Sequence, residues 1–131
     1  MANEAVILEL NEYSNPLQYT CAAATSISKG TLLKLSGDNT VAASSSTDVY
    51  AGVAAMDKDG SDSSTKISVY VPNSKNKFDI KCAGAVTLGA QVVLSGANLI
   101  KNAAEADLIR GRVVGIAQEA GDVDEVISVL S

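Results

Sequence analysis

The chain has 131 residues with 10 basic against 15 acidic side chains, and its net charge of −5 opposes binding to a nucleic-acid backbone or an anionic membrane. It contains no histidine, which removes the usual general base, the commonest metal ligand and every histidine-dependent triad; no residue pattern calls for a cofactor. Apolar residues make up 47% but aromatics only 4%, with no Trp and a single Phe78, so the core has to be built from Ala, Val, Ile and Leu.

The length suits one domain able to bury roughly two-thirds of its unfolded surface. The start "MANEAVILEL" has no basic region and reads as neither a signal nor a transit peptide. No apolar run reaches bilayer length, so a soluble product made in a reducing cytoplasm is expected.

Residues 1–16 read as an arm and linker. "AVILEL" (residues 5–10) is a strand-former with Val6, Leu8 and Leu10 on one face and Ile7 and Glu9 on the other, and "NEYSNP" (11–16) is a turn or joint. The arm either joins the sheet of its own domain or adds to a neighbour's sheet edge. Val6, Ile7, Leu8, Leu10 and Tyr13 are the candidate partner-binding residues.

Residues 17–131 form the β domain, and they repeat. "LKLSGDN" (33–39) returns 59 residues later as "VVLSGAN" (92–98). A gapless alignment of 30–52 with 89–111 is identical at seven of 23 positions, including Asp48 with Asp107; chance would give about two. "LQYTC" parallels "FDIKC", pairing Cys21 with Cys82, and "KISVYV" parallels "VISVLS", so the repeats cover about residues 17–71 and 78–131.

Each repeat reads as four strands. Leu17, Tyr19 and Cys21 alternate with polar residues, as do Phe78, Ile80 and Cys82. Residues 31–35 and 90–94 form the second strand, 49–56 and 108–117 the third, and 66–71 and 126–130 the fourth. Gly30, Gly37, Gly89 and Gly96 are the expected turn glycines, with Gly37 and Gly96 at positive φ. The Ala-rich "NAAEADLI" (102–109) could make two helical turns, but its Ser-rich counterpart could not, so both are read as loops. Eight strands in two repeats predict an all-β, pseudo-twofold small barrel or compact sandwich with Leu35 and Leu94 pointing into one core.

Candidate chemistry is sparse. "DKDGSDSS" (57–64) starts like a calcium loop, yet Asp62 stands where the sixth-position glycine belongs and Ser68 where the closing glutamate belongs. It reads as a polar hairpin, and no metal site is expected. Cys21 and Cys82 read as buried free thiols, with a bridge between their matched positions as the alternative.

The strand-like start, the glycine-led "KGTLLKL", the "GVAA" segment before a polar hairpin and "KISVYV", with "LGAQVVLSG" and the closing "GRVVGIAQEAGDVDEVISVL", together resemble the decoration or cement proteins of tailed-phage heads. The resemblance implies a non-catalytic homotrimer on the outer capsid surface of the virion, bound to the major capsid protein and stabilising the shell. Other virion β-proteins, including fibre bases and tail-tube components, are alternatives within that class. A different class is a carrier module, because "AAMDKDG" is similar to the lysine-bearing hairpin of lipoyl and biotinyl barrels, with Lys58 as the modified residue.

Overall fold

Period-two alternation carries through to burial at Phe78, Ile80 and Cys82 but not at Leu17, which is 52% exposed. In the computed structural model, which describes residues 3–10, 15–61, 63–73, 75–109 and 112–131, the strand Lys77–Cys82 buries Phe78, Ile80 and Cys82 and leaves Lys77, Asp79 and Lys81 half-buried. The elements are β1 (Val6–Glu9), β2 (Leu17–Thr20), β3 (Leu32–Gly37), β4 (Thr40–Ala43), β5 (Tyr50–Ala54), β6 (Lys66–Tyr70), β7 (Lys77–Cys82), β8 (Gln91–Leu94), β9 (Leu99–Asn102), α1 (Glu105–Ile109), β10 (Val113–Ala117) and β11 (Val126–Leu130).

Each repeat closes its own five-stranded barrel. The first runs β2-β4-β3-β5-β6, and the second repeats that order as β7-β9-β8-β10-β11. Both close through a parallel pair: β2 meets β4 at Thr20 and Thr40, and β7 meets β9 at Lys81 with Leu99 and Cys82 with Ile100. Closure leaves no long sheet edge unpaired in either barrel. The strand absent from the sequence reading is the closing one, β4 or β9, whose four residues precede polar loops. All-β barrel architecture from two repeats is therefore what forms, with five strands per repeat and one barrel per repeat.

A five-stranded barrel has a narrow bore, and small side chains fill it. The first core holds Cys21, Ile27, Leu33, Val41, Ala51, Ala54, Ile67 and Val69. Strand β5 is buried on both faces: Ala51 and Ala54 line this bore, while Tyr50 and Val53, with Leu32 of β3, belong to the core of the second barrel. That double burial explains why "YAGVA" is a continuous apolar run rather than an alternating one.

Glycine is required where β5 and β10 cross their neighbours. A Cβ on Gly52 would overlap the Tyr70 carbonyl oxygen, and one on Gly115 the Leu130 carbonyl oxygen. These two glycines are equivalent, because Leu33 pairs with Gly52 and Val92 with Gly115. The repeat offset thus rises from the 59 of the "LSG" turns to 63, an extra four residues after Asp107 that hold the end of α1. The alignment of Gly52 with Gly111 is corrected accordingly. The Asp48–Asp107 match does hold: Asp48 accepts a hydrogen bond from Ser45 N–H at 3.0 Å and Asp107 from Ala104 N–H at 3.1 Å. In the second repeat this bond caps the first turn of α1; the region read as a loop is helical there.

The duplicated turn is not used twice in the same way. Gly96 has positive φ as expected and the turn glycines Gly30 and Gly89 share it, but Gly37 does not. Pairing of β3 with β4 continues to Gly37 opposite Thr40, which moves the left-handed position to Asn39 (φ 49°), matched by Asn98 (φ 58°). Asparagine tolerates this conformation because its short polar side chain can bond nearby backbone. The expectation of one core for Leu35 and Leu94 also fails: Leu94 is fully buried, whereas Leu35 is 44% exposed.

The difference comes from the seam between the barrels. The 95–98 turn of the second barrel lies against the first, where Leu32 N–H donates to Asn98 Oδ1 at 2.9 Å. Asn98 N–H donates to Ser44 Oγ at 3.2 Å, and Ser44 Oγ donates to the Gly96 carbonyl at 3.0 Å. Tyr70 and Phe78 stack their rings across the same seam at 6.1 Å between centroids. Residues 35–39, the equivalent turn of the first barrel, are exposed.

Tyr50 closes the seam, with its hydroxyl 3.3 Å from Ser131 Oγ, which in turn donates to the Val114 carbonyl at 2.9 Å. Burial pushes the Tyr50 hydroxyl up to about 12, with the Ser131 bond partly offsetting the shift. The folded state holds this phenol neutral, so its stabilisation is complete below pH 10 and is lost as pH rises from 10 towards 12. Denaturant titrations should show wild type losing about 2–3 kcal/mol more than Tyr50→Phe across that window. Parallel pH profiles for the two proteins would contradict it.

Candidate interaction surface

The N-terminal strand belongs to its own chain's sheet. β1 pairs antiparallel with β7, Val6 opposite Asp79 and Ile7 opposite Phe78, and Ala5 N–H donates to the Gly30 carbonyl at 2.7 Å. Gly30 is required here, since a Cβ would collide with the Ala5 carbonyl oxygen. Ala5 is buried and Ile7 packs against the second core, which anchors one face of the strand. Val6, Leu8 and, just past the strand, Leu10 are exposed to solvent, Val6 being 58% exposed. The predicted division holds for Val6 and Ile7, but a bulge after Ile7 sets Glu9 opposite Lys77, on the Val6 face; of the two placements for the arm this one is found. Tyr13 lies outside the described residues.

This strand is an apolar outer edge on a rigid body, because β7 fixes it along one side and Ala5 and Ile7 fix it beneath. Three solvent-facing apolar side chains in a row offer a contact strip for another protein's surface. Glu9 pairs with Lys77 in the register at its end.

The other candidates are structural. Lys58 is buried and its Nζ donates to the Ala23 and Thr25 carbonyls at 2.9 and 3.1 Å. A lysine held this way is not presented at a hairpin tip, as a carrier module needs. In the same segment Asp57 accepts from Lys29 N–H at 2.7 Å, tying two segments distant in the chain, and Asp59 accepts from Ser61 N–H at 2.9 Å, closing a turn. No cluster of three or more metal-ligating side chains occurs among the described residues. Cys21 and Cys82 are both free thiols and lie in different barrel cores, so the alternative of a bridge between them is not realised. Burial, then the Glu125 and Asp122 carboxylates, push the Cys82 thiol up, away from thiolate reactivity. No helix among the described residues is long and apolar enough to cross a membrane.

The seam residues Asn98, Ser44, Tyr50 and Ser131 were not legible as a group. Only the repetition of Asn39 as Asn98 marked one of them, and it signals a turn rather than a contact.

The molecule is thus a tandem of two small five-stranded barrels. No protein-family model matches the sequence, and no curated protein matches it either. Among solved structures it is similar to the head fiber gp8.5 N base of bacteriophage phi29, over 88% of this chain and 91% of that one, with a TM-score of 0.55 and 13% identity. At that identity the likeness is one of fold.

Proposed function

We propose that this protein is a structural component of a phage head, a homotrimer that binds the outer surface of the shell through the major capsid protein and stabilises it without catalysis. The observation that carries the reading is the fold shared over nearly the full length of both chains with the base of a head fiber. The exposed strip of Val6, Leu8 and Leu10 on an anchored strand supports it, as does the absence of histidine from the chain. The same neighbour favours a second reading in the same class, a base that seats a fibre on the head. The buried Lys58 weighs against the carrier module.

Co-sedimentation with procapsids and expanded heads of the cognate phage tests this. Binding that saturates and favours expanded heads is expected, and no binding to either form removes the proposal. The double substitution Val6→Ser and Leu8→Ser should weaken binding on the order of a hundredfold while leaving the melting temperature unchanged, since both side chains face solvent. Undiminished binding would take β1 out of the interface.

A further inference from the structure

The seam between the barrels is one-directional, and this has a geometric consequence. On the outside of the first barrel, Leu32, Val53 and Tyr70 form a cross-strand row. That row receives the end of the second barrel that carries Phe78, Leu94 and Asn98. The same row exists on the second barrel as Gln91, Ile116 and Leu130, paired in the same register. The same end exists on the first barrel: Leu17 opposes Val69 as Phe78 opposes Val129, and Leu35 opposes Val41 as Leu94 opposes Ile100.

Neither equivalent surface is covered within the chain. Leu17 is 52% and Leu35 44% exposed, and Ile116 is 42% exposed. Gln91, Ile116 and Leu130 border an open cleft of about 260 Å³ completed by Val113, Gly115 and Lys75. A twofold relation between the barrels would have made the contact reciprocal and consumed both surfaces; a one-way contact leaves one of each kind at opposite ends.

We infer that a second copy of this chain docks here, the Leu17 and Leu35 end of its first barrel entering the Gln91–Ile116–Leu130 cleft in the way the second barrel's end seats on the first. The occupant is a second copy because each surface is the counterpart of one whose complement is already seated in this fold. The left-handed asparagine of the docking turn is kept as Asn39. The turn tip carries Asp38 and the cleft rim Lys75, which are opposite charges. Ala103 stands at the position of Ser44, so the contact between copies lacks one hydroxyl of the internal seam and is the weaker of the two. A head-to-tail contact of this kind closes into a ring when its rotation allows, and three copies would place six barrels around it. This goes beyond the capsid proposal and rests on the repeat alone.

Sedimentation velocity on the full chain tests it with Leu35→Asp, which blocks the docking end, and Ile116→Asp, which blocks the cleft. Both positions are solvent-facing, so the variants should keep the wild-type circular dichroism spectrum. Wild type should be oligomeric and each variant monomeric, with self-association weakened on the order of a hundredfold. An equimolar mixture of the two variants should form dimers and nothing larger, because one copy retains only the cleft and the other only the docking end. A monomeric wild type, variants that remain oligomeric, or a mixture that stays monomeric would each overturn the inference. A monomer that still binds expanded heads would overturn the inference and the trimer together, and leave head binding standing.

Discussion

Gly52→Ala should destabilise the protein by about 3–5 kcal/mol, the largest effect expected of any single added carbon in this chain. The new Cβ meets the Tyr70 carbonyl oxygen and the Val69 side chain, and the backbone holds φ at 139°, which side-chain-bearing residues rarely adopt. A carbonyl in a barrel wall cannot move without breaking the β5–β6 pairing at Val53 with Tyr70 and Ala54 with Val69. Gly115→Ala presses on the Leu130 carbonyl in the equivalent place, without the positive φ, so about 2–4 kcal/mol is expected there. Gly84→Ala is the control, because nothing lies within 4 Å of its added carbon; it should stay within about 0.5 kcal/mol of wild type. Urea denaturation followed by circular dichroism ranks the three, and a Gly52→Ala protein as stable as Gly84→Ala would show that the strand crossing is not as close as described.

The second large effect is a contrast between residues that the sequence presents as equals. Leu94→Ala should cost about 2–5 kcal/mol, since it removes a fully buried side chain from the core shared by both barrels. Leu35→Ala, at the matched position of the other repeat, should cost less than about 1 kcal/mol in the monomer, because nearly half of its surface is already in water. The same denaturation measurement at dilution gives both values, and equal losses would mean that the two turns share one environment after all.

These two expectations mark where the sequence could be read and where it could not. The strands around Leu17, Tyr19 and Cys21, and around Phe78, Ile80 and Cys82, were legible because alternation is a local property of the chain. So was the anchored strand at Val6, although the bulge after Ile7 turns Glu9 to the face that alternation assigns to Val6. Strands β4 and β9 were missed because four residues such as Thr40–Ala43 hold too little alternation to stand out beside Ser-rich loops. Lys58 looked like a hairpin-tip lysine, since nothing in "MDKDG" says that the carbonyls of Ala23 and Thr25 lie within reach. That Val6 and Leu8 face outward while Ile7 packs inward was expected from pattern alone, whereas the Gln91–Ile116–Leu130 cleft needed the pairing register of three strands that are distant in the chain.

By itself, then, the sequence determined an all-β chain in two repeats, with turns at Gly30 and Gly89 and no histidine-based chemistry, because hydrophobic period and backbone preference act within a few residues. Only the tertiary structure decided that each repeat closes alone, that Asn98 is buried while Asn39 is not, and that Leu94 is core while Leu35 is surface. Burial at a barrel's end depends on what is stacked against that end, and the stacking here runs one way, so identical "LSG" turns meet protein in one repeat and water in the other.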